Sequence, residues 1–267
     1  MAALAAATLI SACTSDSSGP SVPGLAKHAY NGPLYVAHVS GAHPRAGAAG
    51  QVVDCTTWGG GGSVTRLPYY DGATTDRPEQ ALYEEGIFSG GAQKGLRIAK
   101  EATDRVLYVL EVHGAVKEAV VVHDGPAAEG AGGPGWYVES WAVCDNSELP
   151  RWYTDSIGQQ IWTDSSGQPV ATGTIDSWRG PEHCDWQSMT FLELGKATYV
   201  RQPRPDLADY FADPYRAHGS VPADAVDTGY EHDGQQLWLS ADEQLAYVGT
   251  TADVETWPRE VKFLGCE

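Results

Sequence analysis

The chain has 267 residues, enough to bury the core of one large domain or two small ones. Hydrophobic residues make up 42% and charged residues 19%, a globular balance that excludes a disordered chain. The net charge of −18 excludes a nucleic-acid binder, which needs a basic footprint.

Residues 1–13 read as an address rather than as part of the fold. Met1 to Ala12 carry no charge, are mostly Ala, Leu, Ile and Thr, and are too few to span a bilayer as a helix. The run closes Leu9-Ile10-Ser11-Ala12-Cys13, which resembles the lipobox of bacterial lipoproteins. That resemblance implies cleavage before Cys13 and lipidation of its sulfur. The basic n-region of a signal peptide is absent, as expected where the true start codon lies further upstream. Residues 14–29 begin Thr14-Ser15-Asp16-Ser17-Ser18-Gly19-Pro20 and read as a flexible tether.

A β-rich first half is expected over residues 30–149. The Gly41–Gly50 region and the Gly59–Gly62 run read as loops. Asp76-Arg77-Pro78-Glu79 can cap and start a helix through Glu85, stopped by Gly86. Residues 96–101, 105–113 and 117–124 read as strands, with His113-Gly114-Ala115 as a turn. A Gly/Ala/Pro excursion over 125–135 leads to a fourth strand over 136–144. Short turns between successive strands predict an antiparallel meander.

Glu148-Leu149-Pro150 breaks this pattern, and a second β-rich half is expected over residues 150–267. Gly158-Gln159-Gln160-Ile161-Trp162 matches Gly234-Gln235-Gln236-Leu237-Trp238, as in a duplicated hairpin. Val138-Glu139-Ser140-Trp141, Ile175-Asp176-Ser177-Trp178 and Val254-Glu255-Thr256-Trp257 share one pattern. Strand alternation would put the β-branched residue and the hydroxyl on one face, the acid and the Trp on the other. Equivalent Trp positions then suggest a shared structural role for Trp162 with Trp238 and for Trp178 with Trp257. A short helix is expected over 205–211, ending before Pro214. The class predicted is α+β: mostly antiparallel meanders and hairpins with one or two short helices.

Five Cys occur: Cys13, Cys55, Cys144, Cys184 and Cys266. With Cys13 lipidated, four remain in an oxidising compartment, which predicts two disulfides. Three connectivities are open; Cys55–Cys144 with Cys184–Cys266 keeps each pair within one half. No GxSxG, HExxH, Walker or SxxK motif occurs, and no zinc spacing, so no cofactor or metal is predicted.

Glu182-His183-Cys184-Asp185 is the one constellation with catalytic residue types. His183 could act as a general base, oriented by Asp185 or Glu182, with Ser188 as nucleophile. Asp224, Asp227 and Asp233 form an acidic loop that reads as a solvated turn or a weak calcium site. The nine Trp can fill a β core or, exposed beside carboxylates, hold sugars. His38, His43, His113, His123, His218 and His232 are scattered, with solvated surface expected for each.

Gly180-Pro181-Glu182-His183-Cys184-Asp185-Trp186, followed by Thr190-Phe191-Leu192, resembles a block of secreted actinobacterial lipoproteins of unknown function. So does Val221-Pro222-Ala223-Asp224-Ala225-Val226-Asp227-Thr228-Gly229-Tyr230, with Leu237-Trp238-Leu239, Tyr247-Val248 and Glu255-Thr256-Trp257-Pro258-Arg259 further on. The resemblance covers roughly residues 90 to 267. It implies a location outside the cytoplasmic membrane and carries no activity, ligand or catalytic residue. The expectation is a lipid-anchored envelope protein with a non-enzymatic binding or supporting role. The alternative is an envelope hydrolase using His183 and nearby carboxylates. An acidic surface favours cationic partners, neutral glycans or proteins over anionic polymers.

Overall fold

The computed structural model describes residues 24–36, 45–63, 74–84, 95–126 and 134–265. Cys13, Cys266, His38 and His43 lie outside these residues. The fold is mostly antiparallel β-sheet with a few short helices.

The first sheet has five strands: β1 (Trp58–Ser63), β2 (Arg97–Glu101), β3 (Arg105–Val112), β4 (Ala115–Pro126) and β5 (Pro134–Cys144). They lie antiparallel in the order β1-β5-β4-β3-β2. Both faces are covered, which is why Val106–Leu110 of β3 and Ala119–Val122 of β4 are unbroken apolar runs. Val106, Tyr108 and Leu110 pack with Ala81 and Leu82 of α1 (Pro78–Glu84) and with Tyr153 of α2 (Arg151–Ser156). Leu107, Val109 and Val121 pack on the other face against Ala46, Ala48 and Ala49. His113 and Gly114 have φ of 52° and 89°, the left-handed pair that a two-residue hairpin needs. Gly24 to Ala26, within the stretch expected as a tether, hydrogen-bond along β2 at Ile98.

Two sequence expectations fail in this sheet. Gly59–Gly62 is not a loop but most of edge strand β1, paired with β5. The glycines are there for close approach: a Cβ on Gly59 would run into the Cys144 carbonyl, and one on Gly61 would lie 2.7 Å from Trp58. Val138 and Ser140 do not share a face. Val122 pairs with Val138 while Val121 pairs with Ser140, so Glu139 is an extra, bulged residue. The bulge sends Val138 into one cluster and Ser140 to the other side, beside the Ala49 amide.

The remaining strands make two smaller sheets. One holds β6 (Ile175–Arg179), β7 (Thr190–Leu194) and β8 (Ala197–Arg201). The other holds β9 (Val226–His232), β10 (Gln235–Leu239), β11 (Leu245–Thr250) and β12 (Asp253–Pro258), in the order β12-β11-β10-β9. Hydrogen bonds join them into a closed ring. Beyond the end of β12, Glu260 donates to Thr198 of β8, and Arg259 bridges Tyr199. On the opposite side, residues 159–163 run between the sheets: Gln160 donates to Ser177 of β6, and Thr163 and Glu231 of β9 exchange both bonds. Trp162, Ile175, Leu192, Tyr199, Leu237, Val248 and Trp257 fill the interior.

The duplicated segments do not play duplicated roles. Trp162 fills the ring, whereas Trp238 packs outside it with Tyr247 and Val254. Trp257 fills the ring, whereas Trp178 lies outside with Phe191. Similar strands enter the ring with opposite faces inward.

Cys55 and Cys144 form a disulfide, as expected. Cys184 is disulfide-bonded as well; its expected partner, Cys266, lies outside the described residues.

Candidate functional site

The strand register builds the most distinctive site. On β6, β7 and β8, cross-strand neighbours form layers that face the ring interior. The first is Ile175–Leu194–Ala197 and the second Ser177–Leu192–Tyr199, all in or against the core. Two residues further along, the same face carries Arg179–Thr190–Arg201. The inward alternation therefore runs past the core and ends in a polar row at the open end of the ring.

Neighbouring elements complete the end wall. A Schellman turn terminates α2: Gly158, with φ of 73°, donates to Asp155, and Gln159 donates to Thr154. This turn drops the chain onto the edge of β6, where the Arg179 amide donates to Gly158. The β9–β10 hairpin turns at Asp233-Gly234, φ 50° and 77°, and delivers His232 and Asp233 to the same place.

A cavity of about 430 Å³ opens here, lined by Arg151, Arg179, Arg201, Gln160, Ser188 and Thr190 among others. An adjoining cavity of about 270 Å³ adds Leu149, Ile161 and Pro169 and shares Arg151, Asp155, Gln159, His232 and Asp233. Open barrel ends of this kind are common ligand positions.

The three arginines differ. Arg151 forks onto Asp233 at 2.7 and 2.6 Å and reaches Asp155 at 3.4 Å. The Arg151 hydrogen bonds hold the Asp233 carboxyl below its usual range. Arg201 forks onto Glu255 at 2.6 and 2.7 Å. Arg179 is exposed, and its guanidinium has no hydrogen-bond or ion-pair partner among the described residues. His232 donates from Nδ1 to the Ile161 carbonyl at 2.8 Å, which turns Nε2 toward Asp233 at 3.6 Å. No family model, curated protein or solved structure matches the chain. The site therefore stands on its own geometry.

The sequence candidates are placed as follows. Glu182, His183 and Asp185 are exposed on a 3-10 turn, where His183 makes no hydrogen bond or ion pair among the described residues. Cys184 beside it is oxidised and no nucleophile. Asp224 is exposed, Asp227 accepts from the Gly229 amide, and Asp233 is taken by Arg151. Among the described residues, no three His, Cys, Asp or Glu side chains gather to hold a metal ion.

His123 is not the solvated residue expected. Its ring stands 2.8 Å from the Tyr137 hydroxyl and 3.3 Å from Glu139, and burial lowers its pKa. The bulged Glu139 takes both prongs of Arg105 at 2.9 Å, and Arg105 also bonds Asp104. These groups pair with one another.

A separate groove of about 540 Å³ lies outside the ring, floored by Trp178, Trp186 and Phe191. The rings of Trp178 and Phe191 stack at 5.7 Å. This groove is largely the outer face of a core cluster that also holds Met189 and Val200.

No signal in the sequence marks the arginine row. Arg179 and Arg201 become neighbours of Thr190 only through two strand registers.

Proposed function

We propose that the protein is a lipid-anchored envelope protein with a non-enzymatic binding role, and that its ligand sits in the open end of the strand ring. One observation carries this reading: the Arg179–Thr190–Arg201 row faces a cavity and ends in a guanidinium with no partner among the described residues. The Cys55–Cys144 disulfide and the disulfide-bonded Cys184 support a compartment outside the reducing cytoplasm. The apolar run closed by Cys13 supports the anchor.

Two measurements test it. In cells, the protein fractionates with the membrane and Cys13→Ala releases it; membrane retention of that variant contradicts the anchor. In vitro, thermal melts of the oxidised full chain are run with cell-wall glycan fragments, small metabolites, calcium and EDTA. A ligand at a hundred times its Kd adds about 2.7 kcal/mol, a visible shift. Turnover of a cell-wall, ester or peptide substrate that survives purification to homogeneity would overturn the non-enzymatic role.

A further inference from the structure

The polar row at the ring end specifies a ligand class, and this step rests on the binding role proposed above. We infer that the site takes a small polar carboxylate, with the carboxylate on Arg179 and the body of the ligand over Thr190 toward Gln159 and Gln160.

The argument starts from which donors are free. Arg179 and Arg201 flank Thr190 on adjacent strands, so the two guanidinium groups border one hydroxyl. Adjacent strands lie about 4.8 Å apart, so the arginine backbones, one strand to either side of Thr190, are about 9.6 Å apart, a span that suits one small molecule over the Thr190 hydroxyl. Arg201 has Nε and Nη2 committed to Glu255. Arg151, on the facing wall, is held by Asp233 and Asp155. Arg179 alone offers its whole planar fork, a shape that matches a carboxylate through two parallel hydrogen bonds.

Charge counting then selects the valence of the ligand. The carboxylates facing the cavity or its arginines are Asp155, Asp233 and Glu255, each already on Arg151 or Arg201. Three carboxylates against Arg151, Arg179 and Arg201 leave the site neutral, with Arg179 the arginine that makes no ion pair among the described residues. The rest of the chain is strongly anionic, with a net −18, and repels a dianion twice as strongly as a monoanion. A neutral site in an acidic protein takes at most the single negative charge that the Arg179 fork can hold. A phosphate monoester would bring a second that nothing here neutralises.

The surroundings describe the rest of the ligand. Gln159, Gln160, Gln187, Ser188 and Thr190 line the same cavity. Hydroxyl or amide groups on the ligand would find partners there, and a bare hydrocarbon would not. The adjoining cavity, with Leu149, Ile161 and Pro169, accepts a less polar substituent.

The test is a set of NMR titrations of the oxidised full chain with acetate, D-glucuronate, D-glucose and inorganic phosphate. The expected order is D-glucuronate tightest, then acetate, with D-glucose at least tenfold weaker than D-glucuronate. Arg179→Ala weakens D-glucuronate at least tenfold at an unchanged melting temperature, and Arg179→Lys falls between. D-glucose binding at the ring end as tightly as D-glucuronate overturns the carboxylate class and leaves the binding role standing. Phosphate binding tighter than acetate overturns the charge matching, and an unchanged affinity in Arg179→Ala overturns the placement. Silence from all four probes overturns the carboxylate class, and with silence across the melt panel the binding role falls too.

Discussion

The five-stranded sheet and the strand ring use the same material, antiparallel strands of five to twelve residues, and finish it differently. The sheet is covered on both faces, and its ionisable groups are turned on one another, as Arg105 is on Glu139. The ring is filled only in its middle layers, and its next layer ends in arginines open to a cavity. The difference teaches where binding capacity arises. It comes where inward-facing alternation outlasts the core, not where polar residues are most numerous.

Glu118 is the exception that sharpens the comparison. It is fully buried in β4, and among the described residues no donor meets either carboxylate oxygen in ordinary hydrogen-bond geometry, Tyr153 being the nearby hydroxyl. Burial pushes its pKa from 4.5 up to about 8, outweighing the opposing pull of Tyr153. Above pH 4.5 the unfolded chain loses this proton while the folded chain keeps it until about pH 8. Stability therefore falls as pH rises through that window, by roughly 5 kcal/mol in the limit. Replacing Glu118 with Met removes the buried acid at similar volume, so urea melts at pH 5 and pH 8 should converge. A variant that keeps the wild-type slope would show that Glu118 does not cause it.

The sheet also depends on its covalent tie to β1. Cys55 and Cys144 are 89 residues apart, so opening the link frees a long loop in the unfolded chain. Cys55→Ala with Cys144→Ala should cost about 4 kcal/mol in chemical melts under oxidising conditions. Glu139→Gln takes the buried, two-pronged carboxylate from part-buried Arg105 and leaves it only the exposed Asp104, for about 2 kcal/mol. At the ring end the expectation reverses. Arg179→Ala should change stability by less than about 0.5 kcal/mol, because an exposed guanidinium without partners holds nothing in place. A large loss there would make the ring end as closed as the sheet and erase the comparison.

Much of the sheet was legible in the sequence because Val, Leu and Tyr runs broken by turn residues mark strands over 105–113 and 117–124, within three residues of the observed Arg105–Val112 and Ala115–Pro126. The helix beginning at Pro78 followed from its N-terminal signals. Strand β1 was not legible, since a run of glycines favours no strand; only the close approach to Cys144 demands it. The six residues of α2 left too little periodicity to detect. The bulge at Glu139 and the opposite facing of Trp178 and Trp257 are matters of register, which alternation alone does not set. The candidate site was hidden for the same reason. Residues 179, 190 and 201 are spaced like nothing in particular until β6, β7 and β8 pair.

The most direct test is the location of binding on the assigned backbone amide spectrum of the full chain titrated with D-glucuronate. The account predicts that shifts concentrate at Gly158 to Gln160, Arg179, Ser188 to Thr190 and Arg201. Shifts confined to the Trp178–Trp186 groove or to the five-stranded sheet would contradict it.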